Sequence, residues 1–511
     1  MTIPEVDRTS EVTAPMRKLN DEEMVHFIRD GYVIVQTGLP RSFHEDLCRK
    51  LQEVIDTEGN WGNNMLPRVP EIQAAFDDPV VRGALASILG STFVVHPHRY
   101  CHRNEPGSAP QRLHKDSLEF EGDRHIRHHR PRWAIAFYYP QDVTEDMGPT
   151  GIVPGSQYYL TEPEDRARKE RPVCVRAGTV VIVNFDIWHR ALANTSGKQR
   201  YMIKFEFGRM DDPVLAPWPS GGDHLPAPVR HVDVDHQEVL WSRVWNWLQG
   251  REFTTSRAIG AVAGDVGQWV DMLRNGDTRA RRHATGLLGQ AGQLAQEDLP
   301  ALVAALQDED EPVRLNAAYA LGEIGAPSVS SVIEVLRTGR ERTRQYAAYA
   351  LSAIGAQAVP ALEDLARDDD EQLRVIAVDT LGDIGRPATT AVPTLTAALR
   401  DESEWVRRFA VEALGTMGAP AASAVPALTA MLRDQSHNVR LSAVTALARI
   451  GPAAVEAVPE LVETLNGPDR YPRGWAAIAL RRIGTPEATG ALLDHLIAAR
   501  WCPVTTIKNR Y

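Results

Sequence analysis

Cysteine is scarce in this chain. Its 511 residues hold 4, at Cys48, Cys101, Cys174 and Cys502, and no two stand in C-x-x-C spacing. That excludes a disulfide framework and argues against a zinc site of the ribbon type. A basic surplus is also missing: 56 Lys and Arg face 67 Asp and Glu, for a formal charge of -11. Such a balance gives no electrostatic footprint for nucleic acid or for an anionic membrane, so neither is expected as a partner. No long apolar run and no export signal stand out, which makes the cytoplasm the expected location.

What is present suits a soluble chain of more than one domain, with 43% hydrophobic residues and ample length. Residues 1–18 are polar, of mixed charge and without periodicity, and are expected to be disordered. Asn20 then caps a helix, with Glu23 at the capping-box position and Gly31 as its stop. A short strand (Tyr32–Val35) and two further helices (Phe43–Ile55, Val80–Leu89) follow. From Phe93 the pattern turns to short strands: Phe93–Val95, Arg132–Tyr139, Gly151–Val153, Val173–Val175, Val180–Phe185 and Tyr201–Phe207. Many short strands with Gly and Pro turns predict a double-stranded β-helix, a jelly roll of the cupin kind, with the helices outside it. The stretch Arg124–Arg132 is rich in His and Arg. It could be a lid meeting an anion, but a solvated basic loop is the reading preferred for such runs. A Pro/Gly-rich loop (Pro213–Pro228) leads to a Trp-rich helix (Val239–Leu248) that closes the domain.

The chemistry-bearing stretch is Val173–Phe207. Its strand Val180–Phe185 leads to His189, and Arg200 opens a second strand. There Arg200, Met202, Lys204 and Glu206 alternate with Tyr201, Ile203, Phe205 and Phe207, so Arg200 faces away from the aromatics. Upstream, His114 and Asp116 flank Lys115. Residues two apart on a strand share a face, so the two can converge while Lys115 points away. Two imidazoles and one carboxylate make the facial triad of non-heme Fe(II) oxygenases.

At these residues the chain resembles the phytanoyl-CoA dioxygenase family over about residues 19–210. The matching pieces are His114-Lys115-Asp116, the stretch Gly148 to Ser156, Ala177 to His189, and Arg200, eleven residues after His189. Gln157 departs from the His usual after Pro-Gly-Ser, which bears on packing more than on activity. The resemblance implies Fe(II) held by His114, Asp116 and His189, with 2-oxoglutarate as cosubstrate and ascorbate as a stimulant. Dioxygen would be the oxidant, and an unactivated C–H of a small molecule would be hydroxylated, desaturated or epoxidised. Arg200 would bind the distal carboxylate of 2-oxoglutarate, with Gln111, Phe137, Tyr139 and Thr150 lining its pocket. Arg132 and Arg209 are the next cations in line. Asp116 stands where related halogenases have Ala or Gly, and so favours oxygenation.

From Ser256 the sequence repeats. Glycines recur at Gly292, Gly325, Gly355, Gly385, Gly418, Gly451 and Gly484, with an arginine eleven residues before each (Arg281, Arg314, Arg344, Arg374, Arg407, Arg440, Arg473). Prolines at 300, 360, 393, 426 and 459 mark first helical turns. The Ala/Leu faces cannot be buried within one unit, so units must stack into an all-α solenoid. It resembles HEAT-like repeats of the phycobilisome-lyase type. The repeating arginines are expected to tie turns to Asp277, Asp310, Asp370 and Asp469. The domains are thus 1–18, 19–250 and 256–511, and a cut between Gly250 and Ser256 is expected to leave an N-terminal piece that folds alone. A protein partner on the solenoid's concave face is the alternative role, although nothing in the sequence marks that face as unusually aromatic or charged.

Overall fold

The computed structural model describes residues 15–60, 62–117, 129–163, 169–226, 235–251 and 265–498. Of the disorder expected for 1–18, residues 1–14 lie outside the described residues, as do 124–128 of the basic stretch, whereas Arg17 is tied to Glu23 at 2.6 Å and Lys18 to the Pro217 carbonyl at 2.9 Å. Helix α1 (Asp21–Asp30) opens with the reciprocal capping box of Asn20 and Glu23 and ends at Gly31, whose φ of 83° suits glycine. Strand β1 (Tyr32–Gln36) follows, then α2 (Arg41–Glu58), α3 (Glu71–Asp77) and α4 (Pro79–Leu89). The strands are β2 (Val94–Asn104), β3 (Trp133–Tyr139), β4 (Thr150–Ile152), β5 (Arg171–Pro172), β6 (Thr179–Asn184), β7 (His189–Ala191) and β8 (Arg200–Gly208), and α5 (Glu238–Leu248) closes the region.

Two antiparallel sheets face each other, one in the order β1-β6-β3-β8-β2 and one in the order β5-β4-β7. The outer face of the large sheet buries Ile203, Phe205 and Phe207 under α2–α4, with Phe76 stacked on Phe205 at 3.8 Å. The inner face gathers Ile135, Phe137, Tyr139, Val181, Val183 and Met202. Two strands differ from expectation. β2 runs on to Asn104, because a bulge between Val95 and Arg99 absorbs Pro97, which has no N–H for the ladder. The strand expected at Val173–Val175 shrinks to Arg171–Pro172 and a lone bridge between Val175 and Val143.

From Val266 to Ala498 the chain alternates shorter and longer helices. Pro300, Pro360, Pro393, Pro426 and Pro459 each sit in a first helical turn, as expected. The acidic partners of the repeating arginines differ from expectation. Asp277, Asp310, Asp370 and Asp469 are N-caps of the longer helices. Arg281, Arg374 and Arg407 instead pair with Asp308, Asp401 and Asp434 of the following turn, each at 2.8 Å. Of the expected pairs, Arg344 with Asp370 at 3.4 Å is formed. By length and composition His437–Leu465 could cross a membrane. It is instead two solenoid helices, His437–Ile450 and Val458–Leu465, broken at Ala454.

The longer helices form the solenoid's inner surface, and the two-sheet region docks on it. Arg243 Nε donates to Glu323 at 2.6 Å, His129 Nδ1 meets the Tyr319 hydroxyl at 2.6 Å and Arg132 Nη1 reaches Asp383 at 3.2 Å. Farther along, His98 meets the Tyr471 hydroxyl at 3.1 Å and Arg482 donates to Asp211 at 2.9 Å. The solvated-loop reading therefore fails for His129, Arg130 and Arg132. All three are packed against the solenoid, where Arg130 donates to the Asp383 carbonyl.

Candidate metal centre

His114 and His189 are joined by a reciprocal backbone pair, His114 N to His189 O and His189 N to His114 O, both 3.0 Å. This single bridge brings the two rings to 4.6 Å. The expected strand at His114 is reduced to that bridge, and Asp116 already begins a helical turn. The convergence holds all the same, with ligand atoms of His114, Asp116 and His189 all within 4.8 Å of one another. Lys115 points away, as expected, and is buried with Nζ over the Trp188 ring.

The imidazole tautomers follow from the backbone. His114 Nδ1 faces the Arg112 carbonyl at 3.0 Å and His189 Nδ1 faces the Ile187 carbonyl at 3.1 Å. A ring nitrogen opposite a carbonyl must donate, so each Nε2 keeps its lone pair. Those Nε2 atoms stand 3.8 and 3.9 Å from the Asp116 oxygens. Burial pushes the His189 imidazole down, toward the neutral ligand form. For Asp116 burial acts upward, but His189 and Lys204 outweigh it and hold the carboxyl below its usual range. Both groups are therefore in ligand form at neutral pH.

Sequence reasoning missed three inner-face residues. Lys204 Nζ lies 2.8 Å from Asp116 Oδ2 and 3.3 Å from Glu206. This trio leaves one net negative charge beside the two imidazoles, which suits a cation. His102 on β2 is pushed down to about 3 by burial and by the nearby Lys204 and Arg200. Alternation along β8 already set Lys204 and Glu206 on the face of Arg200, so that signal was available.

Arg200 is 1% exposed. Nε and Nη2 both donate to the Gly148 carbonyl, at 3.1 and 2.9 Å, while Nη1 is sealed from solvent and has no acceptor among the described residues. Gly148 adopts a φ of 64° that turns this carbonyl toward the arginine. A buried guanidinium N–H without a partner is costly and fits a carboxylate ligand. The Tyr139 hydroxyl donates to Thr150 Oγ1 at 2.8 Å, and its electrostatic coupling to Arg200 puts this pair close by. Phe137 lies 5.5 Å from the His189 ring. Gln111 is exposed and is occupied with Ala191 N at 3.2 Å, so its side chain braces β7. Gln157, the departure from pattern, ties to α1 through the Ile28 carbonyl at 3.0 Å. Both Arg132 and Arg209 are stacked on Trp247, away from this pocket, Arg132 reaching Asp383 of the solenoid and Arg209 the Ile88 carbonyl.

Comparison with known proteins agrees with this geometry. Residues 27–202 match the family model of phytanoyl-CoA dioxygenase (PhyH). HEAT repeats match at 267–352, 299–375, 359–438 and 425–501. Two curated relatives, uncharacterized proteins of Mycobacterium bovis and Mycobacterium tuberculosis, are 40% identical over 68 residues, 13% of this chain. The match spans 25% of the length of each. Among solved structures, HygX from Streptomyces hygroscopicus with nickel and 2-oxoglutarate is 16% identical, with a TM-score of 0.32, over 38% of this chain and 88% of that one. The carbocyclase SnoK from nogalamycin biosynthesis is 21% identical, with a TM-score of 0.31, over 39% and 87%. The chain thus carries a domain of the phytanoyl-CoA dioxygenase (PhyH) family at residues 27–202, which holds the His114–Asp116–His189 cluster, joined to HEAT repeats.

Proposed function

We propose that this chain is an Fe(II)- and 2-oxoglutarate-dependent oxygenase that hydroxylates, or desaturates or epoxidises, a C–H of a small molecule. Residues 19–250 form the oxygenase unit and 256–511 the solenoid. The observation that carries the reading is one conjunction: a two-His, one-Asp cluster, buried at Asp116 and His189, in the same domain as an arginine with a sealed N–H that meets no acceptor among the described residues. When bound, Fe(II) and 2-oxoglutarate supply oxidative decarboxylation to succinate and carbon dioxide, coupled to oxidation of the substrate C–H.

The protein's own part is binding, orientation and exclusion of water. His114 and His189 present Nε2 lone pairs fixed by backbone carbonyls, and Asp116 gives the third ligand. Lys204 keeps that carboxylate ionised and oriented. Arg200, steadied by the Gly148 carbonyl, takes the distal carboxylate of the cosubstrate, with Tyr139 and Thr150 beside it. Phe137 and Met202 supply apolar surface beside these polar groups. The test is a titration of 2-oxoglutarate into anaerobic Fe(II) protein, followed by the metal-to-ligand charge-transfer band. A chain that binds iron without developing that band would overturn the reading. Succinate release across a metabolite screen then finds the substrate.

The alternative, a solenoid that recruits a protein for the oxygenase to modify, meets an obstacle. The inner face that HEAT arrays use for partners is already covered by the chain's own oxygenase region. A pull-down with residues 256–511 separates the two readings.

A further inference from the structure

A chamber of about 460 Å³ lies between the two regions. Its oxygenase side reaches Ser117, next to Asp116, and Glu206, which shares Lys204 with Asp116. Its other side is built by longer solenoid helices, with Arg449 from His437–Ile450 and Tyr471 and Trp475 from Arg470–Ile483. The size suits a small organic molecule.

Two features of this chamber point to a ligand class. The first is an aromatic wall that neither region makes alone. Trp133 meets Trp475 edge-on at 6.1 Å, and His96 stacks on Tyr471 at 5.9 Å and tilts against Trp475 at 5.8 Å. Flat rings set around a cavity favour a flat or ring-bearing guest. The second is Arg449. Its Nη1 donates to Thr416 Oγ1 at 3.1 Å, while its Nε is sealed and has no acceptor among the described residues. Among the described residues no carboxylate lies within ion-pair distance of it. The other arginines with a sealed Nε are held elsewhere: Arg132 by Asp383, Arg314 by the carbonyls of Asp308 and Glu309, Arg209 by the carbonyl of Ile88, and Arg99 over the Phe205 ring. Burial pushes the Arg449 guanidinium down to about 10, so it stays charged at neutral pH. A half-buried cation on a cavity wall, with one sealed N–H that meets no acceptor among the described residues, resembles Arg200 at the proposed cosubstrate pocket.

We propose that the solenoid forms the second wall of the substrate chamber and that Arg449 binds the carboxylate of a ring-bearing organic acid. The assignment of this cavity to substrate rests on the function proposed above; the anion site itself does not. A planar guanidinium fork fits a carboxylate with two parallel hydrogen bonds. The aromatic wall then holds the ring, and the far end of the guest is left toward Ser117 and Asp116.

The test is calorimetric titration of the full chain, loaded anaerobically with Fe(II) and 2-oxoglutarate. The probes are 3-phenylpropionate, its neutral amide and 2-phenylethyl phosphate. The acid should bind at least about tenfold tighter than the amide, as a charge-assisted pair requires. Arg449→Met should abolish that preference and Arg449→Lys should keep part of it, both with unchanged iron content and 2-oxoglutarate midpoint. Trp475→Ala should weaken acid and amide alike. Equal binding of acid and amide, no binding of either, or a preference that survives Arg449→Met overturns the proposal, and tighter binding of the phosphate ester overturns the carboxylate assignment. If Arg449→Met does not fold, Arg449→Lys carries the comparison. If iron or 2-oxoglutarate fails to bind, the proposed function falls by itself. The chamber is then read on the metal-free chain, where loss of preference in Arg449→Met but not in Arg200→Ala still supports the anion site.

Discussion

Arg200 of the oxygenase region and Arg407 of the solenoid are both buried, and they differ in what their nitrogens meet. Arg407 gives Nε and Nη2 to Asp434, at 2.8 and 3.0 Å, and Nη1 to the carbonyls of Asp401 and Glu402, both at 3.0 Å. Arg374 repeats the pattern one unit earlier, with Asp401 and the carbonyls of Asp368 and Asp369. Arg200 has one carbonyl for two nitrogens and nothing for the third. A periodic arginine with its donors matched inside the fold holds the fold together. An unrepeated one whose third nitrogen meets no acceptor among the described residues has a donor left over, and that fits a carboxylate from outside the chain.

The sharpest way to break this contrast is at the metal cluster. His189→Ala should abolish both iron binding and turnover, read by iron content after anaerobic loading, and full activity in that variant would contradict the assignment. Next is Arg407→Ala. Its pair with Asp434 is 8% and 7% exposed. Leaving a carboxylate unpaired in such a place costs about 3–5 kcal/mol. Thermal unfolding should shift down accordingly while the 2-oxoglutarate midpoint stays put. Arg200→Ala should do the reverse, with the fold kept and cosubstrate affinity falling by about 2–5 kcal/mol, some thirty- to several-thousand-fold. Arg200→Lys should retain iron yet bind 2-oxoglutarate poorly, because a point charge cannot replace the fork. Unchanged cosubstrate binding in both variants would move this role to another cation.

The smallest effect concerns acid. Burial acts to raise the Asp434 carboxyl, but its bonds to Arg407 and to Ser436 N outweigh that and leave it below the ordinary value. A depressed carboxylate contributes stability that is present above its unfolded value, about 3.9, and is lost as pH falls through the lower folded value. Helicity of the solenoid should therefore hold from pH 7 to about 5 and decline below about 4. A decline centred near pH 6.5 would implicate histidine instead.

What could be read from the sequence was whatever local spacing encodes. His114-x-Asp116, Arg200 eleven residues beyond His189, the Asn20 capping box and the glycine period each lie within a few residues or a fixed repeat. Lys204 and Glu206 were equally local, yet a charged residue on a strand reads as solvent-facing until the second sheet is known to cover it. The Asp308, Asp401 and Asp434 partners escaped because the nearer aspartates satisfied the same rule and turned out to be caps. Tyr471, Trp475 and Arg449 could not have been assigned. They face the metal region only because a whole array of helices curves back over the sheets, and no short-range pattern records that curvature.

That curvature has a simple origin. A methyl group added at Gly382 would fall 2.9 Å from Ala413 Cα and Cβ, and one added at Gly415 would fall 2.7 and 2.8 Å from Ala446 Cα and Cβ. The same holds at Gly322, where an added methyl would fall 2.5 Å from Ala353 Cβ, so hydrogens in place of side chains let successive inner helices pack close. Each helix inherits the orientation of the one before it, so an offset of a few tenths of an ångström at Gly382 is handed on, helix by helix, to Tyr471 and Trp475. The array works like a ruled screw, whose thread spacing at one end fixes the width of the gap at the other.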